Sequence, residues 1–296
     1  MTVLVTVPAS IANLGPGFDA LGLAVDLHDR FQVTLAGQTT VTFSGTTHAV
    51  TAGVPLAARA AAAVAARAGR PAGFAIAADL AVPVARGLGS SAASIVGALV
   101  AANHLLGRPL GQDALLQVAA DLEGHPDNVA AALLGGVVVV AADPEGVRCG
   151  RFIPRLDLDI VLAIPDLAIA TEEARAVLPR SVPLSDAVFN LSRAAMLVTA
   201  LLSGDESLLG VALDDRLHQP YRARLLPGFT DVVTAARDGG AYGAVLAGSG
   251  STVAAFAPPD RQDAVGEAMR QAFARAGLRA DVRTVRVDDQ GAVIHE

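Results

Sequence analysis

A run of small residues, GLGSSAAS at positions 87–94, is the feature that most constrains how this chain of 296 residues folds. Two glycines and two serines stand directly before an apolar stretch long enough for a helix. Glycine lets a backbone loop approach an anion closely, and the first amides of a helix attract negative charge. The run therefore predicts a helix over 91–106, with Ser90 or Ser91 as its N-cap, whose start faces a phosphate group.

Several kinds of loop compete for this stretch. Gly87, Gly89 and Ala92 satisfy G-x-G-x-x-A, but a dinucleotide fold needs a second strand that ends in an acid about 20 residues on. Here a second helix follows, and the nearest acid, Asp113, lies at its start. A Walker A loop needs G-K-[ST], and the chain has no lysine. A phosphate loop of another type, and small residues that only allow tight packing of helix on sheet, both stay open.

Composition excludes several classes of function. The net charge of −7 argues against nucleic acid as a partner, because phosphate backbones need basic surfaces. The single cysteine, Cys149, excludes an internal disulfide or a cysteine metal cluster, and the absence of lysine excludes Schiff-base chemistry. No uncharged apolar run reaches the roughly 18 residues of a membrane span, and the first residues lack a signal-peptide pattern. We therefore expect a soluble, cytoplasmic protein with no membrane partner.

Hydrophobic periodicity predicts a mixture of strands and helices. Strands are expected at 2–8, 30–37, 73–85, 135–143, 147–154, 158–166 and 280–287, with two more around a Gly/Ser turn within 240–258. Helices are expected at 55–69, 91–106, 111–124, 171–178, 185–203, 205–214 and 259–277. Hairpins occur beside crossovers, and we place a domain boundary at Pro154–Arg155, just past the hairpin of 135–154.

Beyond these patterns, PVARGLGSSAA at 83–93 resembles the ATP loop of the GHMP kinases. Four further stretches are similar to the homoserine kinase branch of that family: PASIANLGPGFDALGLAVDL at 8–27, EGHPDNVAAALLGG at 123–136, TEEARAVLP at 171–179 and DRLHQPYR at 215–222. GAVLAGSGSTVAAF, which ends at residue 256, resembles the third GHMP motif, although Ser251 stands where the family often has proline. Matches spread over so much of the chain are far more specific than the loop alone.

The resemblance implies a two-domain α+β fold. Residues 1–154 would form a ribosomal-protein-like α/β domain that binds ATP, and residues 155–296 a ferredoxin-like α/β sandwich. It implies ATP and Mg²⁺ as cofactors, L-homoserine as the phosphoryl acceptor on the route to threonine, and it allows a homodimer. A mevalonate- or sugar-type kinase and a catalytically silent relative remain the alternatives, and a dehydrogenase is the remaining enzyme of another class.

The resemblance also implies which residues bind the nucleotide and metal. The ATP loop would comprise Pro83, Val84, Ala85, Arg86, Gly87, Leu88, Gly89, Ser90, Ser91, Ala92 and Ala93. Ser91 and Glu123 would hold Mg²⁺, a hard cation that prefers hydroxyl, carboxylate and phosphate oxygens. Backbone amides, the helix dipole and the metal would then replace the missing lysine.

Substrate residues follow from the chemistry of an amino acid zwitterion. The family pattern implies Arg175 and Arg222 for the carboxylate, because guanidinium is a bidentate partner. It implies Asn13 and Asp19 for the ammonium and hydroxyl groups, with His125 and Thr171 as further contacts. Asn128 falls where a catalytic base would act, but an amide accepts no proton at neutral pH. We expect orientation and electrostatics to dominate, with the proton passing to phosphate or through Asp19, and threonine to compete at the same site.

Overall fold

The computed structural model of the chain describes residues 1–45 and 53–295, which form two β-sheets flanked by helices. The first half contains β1 (Thr2–Ala12), β2 (Leu21–Ala36), β3 (Thr40–Gly45), α1 (Gly53–Arg67), β4 (Gly73–Leu80), α2 (Ser90–Leu105), α3 (Gln112–Glu123), α4 (Pro126–Leu134), β5 (Val137–Asp143) and β6 (Gly146–Phe152). The second half contains β7 (Asp159–Pro165), α5 (Thr171–Ala176), α6 (Leu184–Ser203), α7 (Leu209–Ala212), α8 (Gln219–Arg222), α9 (Phe229–Asp238), β8 (Gly243–Leu246), β9 (Val253–Ala257), α10 (Gln262–Arg275), β10 (Ala280–Val285) and β11 (Val293–His295).

The first sheet is built around β2, which is long enough to pair with three strands. Its order is β11-β1-β2-β4-β3, while β5 pairs with the first residues of β2 and β6 extends the sheet as a hairpin. Among the strand pairs of the described residues, only β3 and β4 run parallel. Helices α1 to α4 bury one face, in a core that contains Phe31, Phe74, Ile95 and Leu99.

A register shift between β1 and β2 after Pro8 changes which core the buried side chains of β1 join. Val3, Val5 and Val7 belong to the core under the helices, whereas Ala9 and Ile11 belong to a second core between the two sheets. The shift leaves Asp26 and Leu27 of β2 without a partner on β1, and extra residues of this kind bend a strand pair and re-aim the side chains that follow. The shift therefore directs the end of β1 toward the second half of the chain.

The second sheet has the order β10-β7-β9-β8 with antiparallel neighbours throughout. This is the strand order of a ferredoxin-like sandwich, in which the first and fourth strands lie side by side. Helices α9 and α10 cover one face through Phe229, Met269 and Phe273. The other face joins α6 and the first sheet in the central core, so the predicted two-domain α+β fold is confirmed.

The sequence patterns missed several elements, most of them short. Helices α4, α8 and α9 and strands β3 and β11 were not expected, and the helix predicted at 205–214 is a single 3-10 turn followed by the four residues of α7. The predicted boundary at Pro154–Arg155 falls between β6 and β7, while β11 returns to pair with β1. The division into residues 1–154 and 155–296 stays a prediction.

Helix α6 is, among the described residues, the one helix long and apolar enough to cross a membrane by length and composition. It is part of the folded chain, since Leu197, Ala200 and Leu201 join the central core. The amide of its Asn190 donates to the carbonyl oxygen of Pro16 and to the carboxylate of Asp215. The predicted absence of a membrane partner stays a prediction.

Candidate active site

A cleft of about 500 Å³ lies where the two halves of the chain meet. It is lined by residues 12–13 and 19, by the loop 83–91, by residues from 122 to 128, by the start of α5, and by Arg222 and the 248–249 turn. Its volume lies within the range of about 300–1,000 Å³ that is typical of ligand pockets. Segments far apart in sequence therefore build one concave surface.

The loop 83–91 forms one wall of the cleft, and positive φ angles shape its backbone. Ala85, Gly87 and Gly89 have φ angles of 54°, 77° and 71°, in the left-handed region that favours glycine. A Cβ atom at Gly87 would lie 2.0 Å from the carbonyl oxygen of Ala247, so the Gly/Ser turn of the second sheet packs directly on this loop. Residues 83 to 91 line the cleft, whereas Ala92 and Ala93 are buried in the core behind it.

The N-cap of α2 differs from the prediction. Gly89 occupies this position, and no side chain caps the helix, so the prediction of Ser90 or Ser91 was wrong. The reason is that a left-handed backbone is needed here, which glycine adopts at no steric cost. The first amides of α2 therefore remain free of side-chain caps, as an anion-binding helix start requires.

Ser91 and Glu123 form a pair of oxygen ligands in the cleft. The Ser91 hydroxyl donates to Oε1 of Glu123 at 2.5 Å, with Glu123 as the last residue of α3. Burial raises the pKa of Glu123, while the bond from Ser91 and the nearby His125 oppose that shift. One hydroxyl and one carboxylate beside a phosphate-binding loop are donors that suit Mg²⁺ together with phosphate oxygens and water.

Asp19 and Arg175 face each other across the cleft in a bidentate ion pair. Nη1 and Nη2 of Arg175 lie 3.0 and 2.7 Å from the two carboxylate oxygens of Asp19. Asp19 follows the tight turn after β1, and Arg175 belongs to α5, so the pair joins the two halves of the chain. The hydrogen bond to Asp19 is the main cause that raises the pKa of Arg175.

Arg222 lies deeper than Arg175 and is almost fully buried, with 2% of its surface exposed. Its Nε donates to the carbonyl oxygen of Ala174 and its Nη1 to that of Gly248, at 3.1 and 2.9 Å. Burial lowers its pKa to about 10, and Arg175 contributes in the same direction. The ring of Phe18 lies 5.6 Å from the guanidinium carbon of Arg175 and 5.3 Å from that of Arg222, so it packs against both cations.

Asn13 lines the cleft, but its amide is used within the protein. Its Nδ2 donates to the carbonyl oxygen of Gly248, and its Oδ1 accepts from the backbone amide of Asp19. Asn13 has a φ angle of 71°, which asparagine tolerates better than most residues. The contacts place Asn13 as a support of the turn that carries Asp19.

His125 and Asn128 enter the cleft from the start of α4. His125 is the N-cap residue of this helix, and its Nδ1 lies 3.4 Å from Oδ1 of the buried Asp127. Burial lowers the pKa of His125, but the bond to Asp127 and its charge outweigh burial and raise the pKa above 6.5. Asn128 accepts at Oδ1 from the hydroxyl of Ser10 at 2.8 Å. Thr171, the first residue of α5, also lines the cleft.

The structure adds cleft residues that sequence reasoning missed. An apolar end of the cleft is formed by Phe43, Leu56, Leu80 and Leu122. These residues come from four different elements, and no motif connects them, so the sequence offered no signal. Ser10 and Phe18 contact the cleft residues Asn128 and Arg175. Both lie within the stretch 8–27 that carried the resemblance, but the resemblance identified neither of them as a site residue.

Known proteins are similar to this chain over nearly its whole length. Residues 55–136 match the family model of the GHMP kinases N terminal domain, and residues 197–275 match that of the GHMP kinases C terminal. A homoserine kinase of Moorella thermoacetica is 47% identical over 98% of this chain and 99% of its own length. A homoserine kinase of Crocosphaera subtropica is 41% identical, with coverage of 99% and 98%. The crystal structure of a homoserine kinase from Cytophaga hutchinsonii superimposes with a TM-score of 0.90 at 32% identity, over 99% of this chain and 97% of that one.

Proposed function

Because the chain belongs to the GHMP kinases, in the branch of the homoserine kinases, we propose that it transfers the γ-phosphoryl group of ATP to the side-chain hydroxyl of L-homoserine, giving O-phospho-L-homoserine and ADP. The observation that carries the proposal is the Asp19–Arg175 pair beside the loop 83–91. A carboxylate and a guanidinium that face each other complement the ammonium and carboxylate groups of an amino acid.

The loop and the apolar end of the cleft support ATP as the phosphoryl donor. In this proposal the amides at the start of α2 and the glycine-rich backbone of 83–91 bind the phosphate oxygens. The base lies among Phe43, Leu56, Leu80 and Leu122, where apolar side chains exclude water from its faces. Ala92 and Ala93 contribute small side chains behind the loop and no direct contact.

Ser91 and Glu123 would hold Mg²⁺. When bound, the metal neutralises charge on the phosphate oxygens during transfer. Glu123 is held in place by its bond to Ser91, and its location at the end of α3 fixes the distance to the loop. The carboxylate lies at the negative pole of α3, where an acid is unfavourable for helix stability, which supports a role in binding.

Binding of a zwitterion would exchange one ion pair for two. The substrate ammonium takes the place of Arg175 at Asp19, and the substrate carboxylate takes the place of Asp19 at Arg175. Arg222 adds a second positive charge at the carboxylate end, where Phe18 packs against both guanidinium groups. The other residues that line the substrate site in this proposal are Asn13, His125 and Thr171.

Phosphoryl transfer through a loose transition state makes little demand on a base. Asn128 cannot take the hydroxyl proton, and we assign it the orientation of the reacting groups. Asp19 is the carboxylate that we place against the substrate, and we assign the proton either to it or to the transferred phosphate. The chain's main contributions are then positioning and fixed positive charge.

The proposal also covers the ligands of the enzyme, its compartment and its oligomeric state. Its partners are ATP and L-homoserine, with threonine as a competitor at the Asp19–Arg175 site, in a cytoplasmic step of threonine formation. A homodimer stays a prediction, and analytical ultracentrifugation at several concentrations measures it directly.

The test is ADP production from MgATP in the presence of L-homoserine, L-threonine, L-serine, mevalonate or galactose. We expect ADP only with L-homoserine. ADP formation with mevalonate or galactose would keep the kinase and refute the acceptor. Binding of ATP without turnover of any acceptor would favour a catalytically silent relative.

A further inference from the structure

We infer that Ser10 is a positioning residue, which holds the side-chain amide of Asn128 with its NH₂ group directed at the reacting atoms. The inference rests on the proposed function. Its basis is a contact between the end of β1 and the start of α4 that no sequence motif assigned. Ser10 is fully buried and its hydroxyl donates to Oδ1 of Asn128 at 2.8 Å.

Ser10 is fixed by the backbone on both sides of its strand. It pairs with Ala24 of β2, and its own amide donates to the carbonyl oxygen of Leu88 in the loop 83–91 at 3.1 Å. The register shift after Pro8 directs this part of β1 toward the cleft. The hydroxyl of Ser10 therefore has little freedom of position.

Two features fix which end of the Asn128 amide meets Ser10. In the structure the hydroxyl of Ser10 donates to Oδ1, so the carbonyl oxygen of the amide lies on the side of Ser10. The N-terminus of α2 lies on the same side, because a Cβ atom at its N-cap, Gly89, would be 3.1 Å from Oδ1 of Asn128. The positive end of a helix favours an oxygen over an NH₂ group.

The opposite end of the amide is left for a ligand. Within residues 1–45 and 53–295, no atom accepts a hydrogen bond from Nδ2 of Asn128, and Asn128 lines the cleft. An NH₂ group there donates to the attacking hydroxyl oxygen or to an oxygen of the transferring phosphoryl group. Such a donor orients the reacting groups and takes no proton, in agreement with a loose transfer.

The close approach of Gly89 to Ser10 also supports this arrangement. A Cβ atom at Gly89 would lie 2.1 Å from Oγ of Ser10. The phosphate loop thus approaches Ser10 so closely that only glycine fits. Ser10 connects the loop to Asn128, and the three residues form one rigid cluster.

The experiment compares Ser10→Ala, Asn128→Ala and the double variant, with Thr6→Ala as the control. Thr6 also carries a hydroxyl on β1, but that hydroxyl contacts His295 of β11, and neither residue lines the cleft. We expect Ser10→Ala to lower kcat about tenfold, a barrier change of about 1.4 kcal/mol, and to leave the KM for ATP within about twofold. The kcat of the double variant should equal that of Asn128→Ala, because Ser10 acts only through the amide.

A kcat loss in the double variant equal to the product of the two single losses would overturn the inference. A Ser10→Ala variant with the kcat of the wild type would do the same. If Ser10→Ala does not fold, Ser10→Cys takes its place, since its thiol is a weaker donor that should lower kcat severalfold.

A spectroscopic measurement separates this inference from the proposed function. The side-chain ¹H–¹⁵N signals of Asn128 are identified by their loss in Asn128→Ala. They should shift in Ser10→Ala and stay in place in Thr6→Ala. Unmoved signals in Ser10→Ala would contradict the inference whether or not L-homoserine is phosphorylated, while absence of turnover in the wild type would contradict the proposed function alone.

Discussion

Asp19 and Arg175 are separated by 156 positions in the sequence and meet in one bidentate ion pair. Each side chain is about one-third exposed, so the pair is neither a surface contact nor a buried one. Their mutual neutralisation keeps these two side chains from carrying unpaired charge in the unliganded cleft. A ligand that breaks the pair must replace both partners, which an amino acid zwitterion does and a neutral alcohol does not.

The first prediction concerns the guanidinium fork of Arg175. Arg175→Ala should lower kcat/KM for L-homoserine by about 30–100-fold, mostly through KM, because a hydrogen bond to a charged group contributes about 1.5–3 kcal/mol. Arg175→Lys keeps the charge but loses the bidentate geometry, and we expect an intermediate value. Steady-state kinetics with varied L-homoserine at saturating MgATP measures both.

Arg180→Ala is the matched control, since Arg180 is exposed and does not line the cleft. It should match the wild type. An unchanged KM in Arg175→Ala, with the fold intact by circular dichroism, would remove Arg175 from the substrate site.

At the scale of elements, helix α2 shows how a helix start can serve a ligand instead of the helix. Its N-cap is Gly89, and neither of the two serines that follow caps the helix with its side chain. The hydroxyl of Ser91 donates to Glu123 instead. The sequence predicted the helix within one residue at each end but assigned the wrong cap. Propensity favours serine as an N-cap, and the close approach to Ser10 excludes it at position 89.

The second prediction compares two glycines at helix N-caps. Gly89→Ala should lower the free energy of unfolding by at least about 2 kcal/mol and abolish ATP binding, because it adds strain at a positive φ and a clash with Ser10. Gly111→Ala at the start of α3 is the control, since its φ is −75° and a Cβ atom there meets nothing within 4 Å. We expect it to change stability by less than about 1 kcal/mol.

Urea unfolding and calorimetric titration with ATP measure the two effects. Equal stability losses in the two variants would show that the close approach at Gly89 is not what requires glycine there.

The third prediction concerns the segment that brings β11 back to the first sheet. His28 on β2 contacts Asp288 at 2.7 Å, and Asp288 also accepts from the amides of Gln290 and Gly291. The bond to Asp288 raises the pKa of His28 despite burial. Burial opposes the shift of Asp288, but the bond from His28 and these amides lower its pKa below the usual value.

The sign of the pH dependence follows from these directions. Stability from His28 is fully present below pH 6.5 and is lost as pH rises through its raised pKa. Stability from Asp288 is present above its usual pKa near 3.8 and is lost as pH falls through the lowered pKa. The stability difference between the wild type and His28→Gln should therefore shrink as pH rises from 6 to 9.

Because His28 is about one-third exposed, we expect this difference to stay below about 1 kcal/mol. Burial raises the pKa of Asp29 to about 6, and the charge of Asp29 also raises the pKa of His28. Hydrogen exchange at Val293 and Ile294 reports the pairing of β11 locally. His104→Gln, at the far end of α2, is the control; a difference that grows with pH in His28→Gln would contradict the assignment.

At the scale of the whole molecule, the two halves share one core. Ile11 from the first sheet, Leu162 and Phe256 from the second, and Leu197 from α6 are in a single buried cluster. The cleft lies at the edge of this core, where residues 83–91 and the turn at 248–249 meet. The shared core therefore fixes the position of the two halves of the substrate site relative to each other.

The fourth prediction is cooperative unfolding. Chains of this length often unfold in several steps, but the shared core should give one calorimetric transition with equal calorimetric and van't Hoff enthalpies. Leu162→Ala should lower the midpoint of that single transition and cost about 2–5 kcal/mol, since Leu162 is fully buried. Leu184→Ala, where the side chain is exposed, is the control and should have little effect. Two separate transitions in the wild type would refute the shared core.

How much the sequence predicted differs between the fold and the site. Long segments such as α1 and α6 were predicted from their apolar residues, and the β5–β6 hairpin was predicted from two runs of strand-forming residues. Short elements such as α4 and β11 form because tertiary contacts stabilise them, and local pattern does not report those contacts. The resemblance placed Ser91, Glu123, Asp19 and Arg175 on the list of site residues, and the structure places them in one cleft.

Other parts of the site depend on contacts between residues of different elements, which no sequence pattern predicts. Ser10 reaches Asn128 from a different element, and the apolar end of the cleft draws on four elements. Asn13 was predicted as a substrate ligand, but its amide supports the turn that carries Asp19 and also binds Gly248. Only the fold decides which of these polar atoms remain available to a ligand.

Phosphorus NMR of the reaction product tests the central claim most directly. Purified protein with MgATP and L-homoserine should convert the γ-phosphate into a phosphate monoester on the side-chain oxygen, stable to hydroxylamine, with one ADP for each ester. Omission of L-homoserine should leave ATP intact. ATP consumption without an amino acid ester, or a hydroxylamine-labile phosphate on the carboxylate, would contradict phosphoryl transfer to the hydroxyl.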